Sequence, residues 1–429
     1  MERYYKKLNR VNDTFRALRH RNYRLFFIGQ GISLIGTWMQ QIALNWLVYR
    51  ISNSVLLLGI VGFASRIPTF LLAPVAGVVA DRWNRHHLVI LIQTLAMVQA
   101  FILAFLVLTH VVTIWHIILL GLLLGCVNSF DIPVRQSFVV DMLENEEDLG
   151  NAIALNSSLV NGARLLGPSV AGILIAAVGE GMCFLINGLS YIAVIVALFA
   201  MRITAKQIKR NGSNFLQNLR EGFSYTFGFA PIRNILLLLA LVSLLGMPYV
   251  TLMPVFARDI LHGGAHTFGF LMGAAGIGAL IGAVYLASRR SVVGLGWIIT
   301  MAAGVFGIGL IAFSLSKVIW LSLLLMVFTG FGMMVQMAAS NTVLQTIADD
   351  AKRGRVMSFY TVAFVGMTPF GSLLAGWLAS RLGAKETVLI SGICCLLGAV
   401  VFLGRLQALR EILSPIYEKK GIMLKGKIF

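Results

Sequence analysis

The sequence predicts an all-α membrane protein of twelve transmembrane helices, arranged as two pseudo-symmetric six-helix bundles. Three observations lead to this prediction. The 429 residues are 58% hydrophobic and only 12% charged, with a mean hydropathy of +0.85, whereas soluble domains carry roughly 25% charged residues. Apolar windows of about 20 residues, the length that crosses the hydrocarbon core, recur between Tyr23 and Arg405. The third observation is an internal repeat.

The two halves of the chain repeat one another. One constant offset relates three glycines of the first half to three of the second: Gly150, Gly167 and Gly172 to Gly354, Gly371 and Gly376. At a slightly larger offset, the run from Ser33 to Gly36 matches the run from Ser243 to Gly246. Duplication of a helical membrane protein, with a site between the halves, is the usual architecture of a secondary transporter.

Twelve segments are apolar and long enough to cross the bilayer as helices. They lie near residues 22–50, 55–80, 87–109, 114–138, 149–178, 182–202, 230–258, 267–288, 294–314, 318–345, 355–381 and 386–405. The chain therefore divides into a basic N-terminus at 1–21, an N-terminal bundle at 22–202, a linker at 203–229, a C-terminal bundle at 230–405 and a basic tail at 406–429. The tail interleaves basic and apolar residues, which fits either a segment lying on anionic lipid or disorder.

The distribution of charge predicts the orientation in the membrane. The net charge is +18, and Lys and Arg gather before the first helix, after the second, around the central linker and along the tail. By the positive-inside rule, both termini and the linker are expected in the cytoplasm. Because the basic residues follow alternate membrane connections, the charge does not indicate a nucleic-acid partner.

Neither a cofactor nor a metal is expected. Cys126, Cys183, Cys394 and Cys395 lie in apolar helices without metal-ligand spacing. The seven histidines are scattered and form no convincing ligand pair. The first apolar segment is too long for a signal peptide and lacks a small-residue cleavage site, so the first helix is expected to be retained.

A loop motif follows the second predicted helix, where residues 77–87 read GVVADRWNRHH. Gly77 allows two helices to approach closely, Asp81 can lie against the positive N-terminus of a helix, and Arg82 and Arg85 can pair with Asp81 or with lipid phosphate. The run resembles the cytoplasmic loop signature of the major facilitator superfamily, with Asn84 in place of a glycine. Asn tolerates a left-handed turn nearly as well as Gly. The resemblance implies a cytoplasmic gate, and a positive-inside anchor is the alternative.

A second group of motifs extends the resemblance over essentially the whole chain. It comprises RIP at 66–68, FDIPVRQ at 130–136, NA at 151–152, ARLLGP at 163–168 and AG at 171–172. The group resembles the branch of the superfamily that contains enterobactin exporters and macrolide efflux proteins. This resemblance implies a drug:proton antiporter type of exporter in the bacterial cytoplasmic (inner) membrane.

Three charged residues lie well inside predicted helices: Arg66, Asp131 and Arg164. A charge near the bilayer centre costs about 2.5–3.5 kcal/mol on insertion scales and usually marks a functional site. Asp131 has Arg135 one turn later as an i,i+4 partner, and Arg66 or Arg164 can pair with it from other helices. We predict that these four residues carry proton coupling. A structural ion pair and direct contact with substrate are the alternatives.

Polar and aromatic side chains predict a substrate cavity. One face of the first helix carries Gln30, Thr37, Gln41 and Asn45, flanked by Trp38, and the fifth helix contributes Asn161. The second half supplies Tyr249, Phe331, Gln336 and Tyr360. The alternatives are ordinary packing and interhelical hydrogen bonds, which are worth about 0.6 kcal/mol a pair.

Two proline sites are expected to bend helices at equivalent points of the two halves. They are Gly167-Pro168 in the fifth helix and Pro369 to Gly371 in the eleventh. Paired bends suit a rocking motion of the halves. Between the fourth and fifth helices, residues 144–148 are predicted to form a solvated acidic turn.

Together these features predict a transporter and not an enzyme. Because the sequence lacks a nucleotide-binding motif, we expect proton-coupled alternating access that exports an amphipathic small molecule, either a siderophore or a drug-like compound. The expected partners are that substrate, protons and membrane lipids, and the expected state is a monomer. A lipid or lysolipid flippase is the alternative, followed by a non-transporting membrane sensor.

Overall fold

The computed structural model describes residues 15–203, 223–289, 291–349 and 352–420. Throughout these ranges the chain is helical, with short connections and without a β-strand. The predicted all-α class is therefore confirmed.

Helices α1 to α13 follow one another along the described chain, after a 3₁₀ turn at Arg16–Arg19. Those of the first half are α1 (Arg21–Ser52), α2 (Val55–Ala64), α3 (Ile67–Arg82), α4 (Arg85–Leu108), α5 (Ile114–Asp141), α6 (Leu149–Val178) and α7 (Glu180–Phe199). Those of the second half are α8 (Ala230–Ile260), α9 (Ala265–Ser288), α10 (Leu295–Leu315), α11 (Ile319–Ile347), α12 (Arg353–Leu382) and α13 (Ala384–Lys419).

Within the described ranges, eleven helical segments are long and apolar enough to cross a membrane. The second predicted span is broken into α2 and α3, because Pro68 starts a new helix instead of continuing the old one. Helix α1 has 32 residues and is long enough to span, but its polar stripe makes it less apolar than the other eleven. Eleven of the twelve predicted spans are thus long enough and apolar enough to cross a membrane. The remaining span, α1, is long enough.

Helix α13 continues past the predicted end at 405. Leu406, Leu409 and Tyr417 are buried. Lys420 Nζ donates to the carbonyl oxygens of Thr346 at 2.7 Å and Ala348 at 3.3 Å, which satisfies carbonyls left without partners at the end of α11. Up to residue 420, the tail is therefore a helical extension of α13, and the disorder considered from the sequence does not apply to this part of it. Residues 421–429 lie outside the described residues.

The two proline sites differ in geometry. Helix α12 contains a π-helical turn at Val362–Gly366, just before Pro369, whereas Pro168 lies inside the continuous α6. Proline lacks an N–H and its ring clashes with the carbonyl four residues earlier, and a π turn is one way to relieve that clash. The two sites thus differ in local helix geometry, and the bends at both of them stay predictions.

The described chain forms two compact units. Unit 1 contains the described residues of 1–51 and 64–210, and unit 2 contains those of 52–63 and 211–429. All of α2 except Ala64 therefore groups with unit 2, although the sequence placed it in the N-terminal bundle. The reason is a backbone contact: a Cβ atom added to Gly59 would lie 2.8 Å from Cα of Gly376 on α12.

The same close contact between two helices, made at a glycine, occurs once in each unit. In unit 1, a Cβ atom on Gly167 of α6 would lie 2.5 Å from Cβ of Trp38 on α1. In unit 2, a Cβ atom on Gly371 of α12 would lie 2.7 Å from Cγ of Pro248 in α8. Trp38 and Pro248 are related by the same offset that matches Ser33 to Ser243. The duplication seen in the sequence is thus also present in the packing.

The core of unit 1 lies between α1, α4, α5 and α7. Phe26, Phe138 and Val194 are buried in one hydrophobic cluster, in which the rings of Phe26 and Phe138 meet edge to face at 6.5 Å. These four helices also carry the polar residues of the candidate site, so the apolar packing holds those residues in place.

Candidate functional site

A buried acid on α5 is the centre of the candidate site. The Asp131 carboxylate accepts a hydrogen bond from Arg135 Nη2 at 2.5 Å, and the two side chains are only 14% and 17% exposed. Gln93 on α4 donates its Nε2–H to the other carboxylate oxygen at 3.2 Å. Of the arginines considered from the sequence, the structure therefore pairs Arg135 with Asp131.

Gln93 leaves one polar atom without a partner. The residue is 4% exposed, and its Oε1 accepts no hydrogen bond. A buried acceptor in this situation costs about 1–3 kcal/mol. If Asp131 were protonated, its O–H would need an acceptor, and rotation of the Gln93 amide by half a turn would supply Oε1. The amide can thus serve either protonation state of the carboxyl group.

Helix α7 brings Tyr191 to the same region. Its hydroxyl lies 3.4 Å from Thr37 Oγ1 on α1 and within electrostatic reach of Asp131 and Arg135. Thr37, a predicted cavity residue, also donates to the Ser33 carbonyl at 2.9 Å. Four helices, α1, α4, α5 and α7, therefore each place a polar side chain around or near the ion pair.

A second polar network joins α1, α4 and α7. Asn187 Nδ2 donates to Gln40 Oε1 at 2.6 Å, and Gln40 Nε2 donates to Gln99 Oε1 at 2.9 Å. Ser190 Oγ donates to Asn187 Oδ1 at 3.2 Å. All four residues are buried, so these bonds are interhelical links of the kind that hold membrane helices together. Gln40 therefore makes interhelical hydrogen bonds, which were the alternative to a cavity for the polar residues of α1. The predicted cavity residue Gln41 follows it directly in the chain.

The other predicted residues of the first half are spread over three helices. Gln30 is buried and its Oε1 has no hydrogen-bond partner, whereas Gln41 and Asn45 are partly buried. The Arg164 guanidinium lies 5.7 Å from the centre of the Trp38 ring, a cation–π distance. Asn161 donates to the Ser157 carbonyl of its own helix at 2.9 Å, and Arg66 stands at the N-terminus of α3. Their roles in coupling and substrate binding stay predictions.

The aromatic residues predicted in the second half do not form one cluster. Tyr249 is buried against Phe306, with ring centres 6.3 Å apart, and Phe331 lies 5.9 Å from the Tyr285 ring. Tyr360 donates to the Met337 carbonyl at 3.4 Å. Tyr249 therefore packs against Phe306, and its role in a substrate cavity stays a prediction. Gln336 is a stronger candidate for a polar role, because it is 1% exposed and its Nε2 has no partner.

The loop motif between α3 and α4 is attached to α5. Arg85 Nη1 lies 3.2 Å from Asp141 Oδ2 at the end of α5, a partner that was not considered from the sequence. Gly77, Asp81 and Arg82 lie in the last turns of α3, and their side chains are outside what the structure describes. The gate therefore remains a prediction for these three residues.

The interpretation of Asn84 as a left-handed turn is wrong. Its φ of −63° and ψ of 112° are extended, and its side chain accepts hydrogen bonds from the backbone N–H groups of His86 and His87. Asn84 is thus the N-cap of α4, a position where Asn is among the most favoured residues.

The interpretation of residues 144–148 as a solvated turn is also wrong for Asp148. That residue is 8% exposed, and its carboxylate binds Arg16 Nε at 2.6 Å and His20 Nε2 at 2.8 Å. The backbone N–H of Glu144 donates to the other ring nitrogen of His20 at 3.3 Å. The 3₁₀ turn before α1 therefore removes Asp148 from solvent, whereas Glu144 and Glu147 are exposed.

Sequence reasoning missed the buried amides and two acids. The amides are Gln40, Gln93, Gln99 and Asn187, and the acids are Asp141 and Glu180, of which Glu180 binds Arg50 at 2.7 Å. The available signal was that a polar residue inside an apolar helix faces protein rather than lipid. The same signal applies to amides and to acids at the ends of spans, as well as to charges at the centre of spans.

The family of the chain follows from comparison with known proteins. A family model described as a transmembrane secretion effector matches residues 12–416. The chain belongs to this family of major facilitator transporters. The predicted superfamily is confirmed, and so is the predicted class, a transporter rather than an enzyme.

Two relatives and one solved structure agree with this assignment. A staphyloferrin A transporter of Staphylococcus aureus (strain NCTC 8325 / PS 47) is 26% identical and covers 88% of this chain and 95% of its own. Macrolide efflux protein A of Streptococcus pyogenes is 20% identical and covers 89% and 96%. A bacterial homologue of the iron transporter ferroportin, solved in an inward-facing state, covers 90% and 98% with a TM-score of 0.68 and 18% identity. The predicted branch and the major facilitator fold are thus confirmed.

Proposed function

We propose that this transporter exports an amphipathic small molecule, a siderophore or a drug-like compound, in exchange for protons. The names of the two relatives support these substrate classes, since one is a siderophore transporter and the other a macrolide efflux protein. The single observation that supports proton coupling is the Asp131–Arg135 pair, an ionisable acid held inside an apolar helix.

The ion pair links protonation to the access of water. With Asp131 ionised, the two charges neutralise one another and are compatible with a dry, closed site. Protonation leaves the Arg135 guanidinium without its counter-charge, and an unpaired charge away from water is unfavourable by several kcal/mol. The protonated state therefore favours a conformation in which water reaches the site. Rotation of the Gln93 amide keeps the carboxyl group hydrogen-bonded in both states.

The distribution of basic residues supports an orientation with both termini and the 203–229 linker in the cytoplasm of a bacterial inner membrane. In this orientation the loop of Gly77, Asp81, Arg82 and Arg85 forms the cytoplasmic gate, and a monomer is the transporting unit. Substrate would contact the polar stripe on α1 and the cavity residues predicted in the second half.

Transport in inside-out membrane vesicles tests the proposal. Vesicles that contain the protein are supplied with a catecholate siderophore, a macrolide or a lysolipid, with and without an imposed proton gradient. We expect gradient-dependent accumulation of a siderophore or macrolide and no accumulation with empty vesicles. Accumulation of lysolipid alone would support a flippase instead. Substrate accumulation that is the same with and without the proton gradient would contradict proton coupling.

A further inference from the structure

A groove between α8 and α13 opens on the surface of unit 2. Its volume is about 430 Å³, within the range of roughly 300–1,000 Å³ that is usual for small-molecule sites. The walls are apolar, with Leu241 and Leu245 on α8 and Leu397 and Val401 on α13. Leu397 and Val401 are 58% and 59% exposed, so in a membrane the groove faces lipid. None of its residues belongs to the candidate site in unit 1.

The two helices pack closely at Gly398, which is one of the residues that line the groove. A Cβ atom added to Gly398 would lie 3.1 Å from Leu241 Cδ2, which is tighter than ordinary van der Waals contact. The glycine therefore lets α8 and α13 approach closely at this point of the groove.

One end of the groove is polar and positively charged. Asn234, which is buried, accepts a hydrogen bond from Arg405 Nη1 at 3.1 Å. That bond uses one of the five N–H donors of a guanidinium. Among the described residues that line the groove, Arg405 carries the only charge. An anchored arginine of this kind matches the geometry of a phosphate oxygen pair.

The length of the groove indicates the occupant. From Arg405 back to Cys394 along α13, and from Asn234 to Leu245 along α8, the lining covers about 16 Å at 1.5 Å per residue. The hydrocarbon of one leaflet is about half of the 30 Å bilayer core. The groove thus runs from the interface to near the midplane, which is the extent of one lipid acyl chain below its headgroup.

We propose that this groove binds one anionic phospholipid, with its phosphate at Arg405 and one acyl chain between α8 and α13. The lipid comes from the leaflet on the side of Arg405, which the distribution of Lys and Arg predicts to be the cytoplasmic one. The site is independent of the transported substrate. A lipid seated there would bridge α8 and α13 alongside the π-helical turn at Val242–Gly246 and would therefore stabilise unit 2.

Native mass spectrometry of the full-length protein, with phosphatidylglycerol and phosphatidylcholine in equal amounts, tests the charged end of the site. We expect wild type to retain one phosphatidylglycerol in preference to phosphatidylcholine. Arg405→Gln should lower this retention about tenfold, because a hydrogen bond to a charged group is lost. Arg405→Lys should keep part of it. The matched control is Arg289→Gln, which removes an exposed arginine at the end of α9. Equal retention by Arg405→Gln and Arg289→Gln would overturn the proposal.

A second pair of variants tests the groove itself. Val401→Trp places an indole in the groove, whereas Val400→Trp changes a neighbour that is similarly exposed, at 55%, and does not line it. We expect Val401→Trp to lose the bound lipid and the increase in Tm that phosphatidylglycerol gives wild type, and Val400→Trp to keep both. If both variants retain the lipid, it binds elsewhere. If phosphatidylcholine is retained as well as phosphatidylglycerol, the groove holds acyl chains without recognising the headgroup, and the proposal fails.

Discussion

At the scale of single residues, the candidate site places few charged side chains among apolar ones. Asp131 and Arg135 form a pair that is neutral as a whole, and the neighbouring groups are amides and hydroxyls that can either donate or accept. Such groups tolerate a change of protonation that a second fixed charge would oppose. We therefore expect transport to depend on Asp131 more than on any other residue of the candidate site.

Replacement of Asp131 by Asn should abolish transport driven by a pH gradient, because Asn resembles the protonated acid and cannot release a proton. Substrate should still bind, and its affinity should no longer depend on pH. Binding titrations at two pH values, together with gradient-driven uptake, measure both effects. If the variant still transports uphill with a proton gradient as its sole energy source, Asp131 is only a structural partner of Arg135.

Gln93→Leu should slow transport by about 10- to 150-fold, since the carboxyl group loses one hydrogen bond to a charged group, worth about 1.5–3 kcal/mol. In infrared difference spectra, the C=O band of protonated Asp131 should move to higher frequency, because its O–H loses the Oε1 acceptor. Gln99→Leu is the control, since it also removes a buried amide from α4. The Gln99 amide bonds to Gln40 and not to Asp131. An unchanged band in Gln93→Leu would exclude the proposed rotation of the amide.

The ion pair could be predicted from the sequence, and its surroundings could not. An acid in an apolar helix has few possible partners other than an arginine one turn later. The spacing alone therefore identified Asp131 and Arg135. Gln93 and Tyr191 lie on other helices, and their distance from Asp131 depends on how α4 and α7 rotate about their axes. That rotation depends on packing between helices, such as the contact of Phe26 with Phe138. The spacing of residues along one helix does not predict such packing.

At the scale of helices, the most accurately predicted boundaries are those with local signals. Helix α6 was predicted at 149–178 and spans Leu149–Val178, because Gly179, with a φ of 83°, ends it as only glycine does easily. The end of α13 was missed because Arg405 interrupts the apolar run. Beyond Arg405 the helix is amphipathic, and burial of Leu409 and Tyr417 keeps it helical. A rule based on continuous hydropathy does not detect this.

The cap of α4 gives a prediction at this scale. Asn84→Ala should lower the free energy of unfolding by about 1 kcal/mol, because the N–H groups of His86 and His87 lose their acceptor. Asn84→Ser should be close to wild type, since serine caps equally well. Thermal unfolding of the purified protein measures the difference. A left-handed turn at this position would give the opposite order, with Gly better than wild type and Ser worse.

At the scale of the whole molecule, the orientation in the membrane is the property most open to direct test. We expect Cys variants at His110 and Gly263 to react with a membrane-impermeant maleimide in intact cells. A Cys variant at Ser213, in the linker, should react only after the membrane is opened. Labelling of the endogenous cysteines is checked in wild type. Strong labelling at 213 in intact cells would reverse the orientation predicted from the positive-inside rule.

The contact of Gly59 with Gly376 has a consequence for a protein expressed as two fragments. Residues 52–63 precede the linker yet belong to unit 2, so cutting the gene within 204–222 places the two glycines on separate polypeptides. Reassembly then relies in part on that backbone contact, without the high effective concentration that one continuous chain provides. Gly59→Leu should therefore block complementation between co-expressed fragments more severely than it impairs the intact transporter.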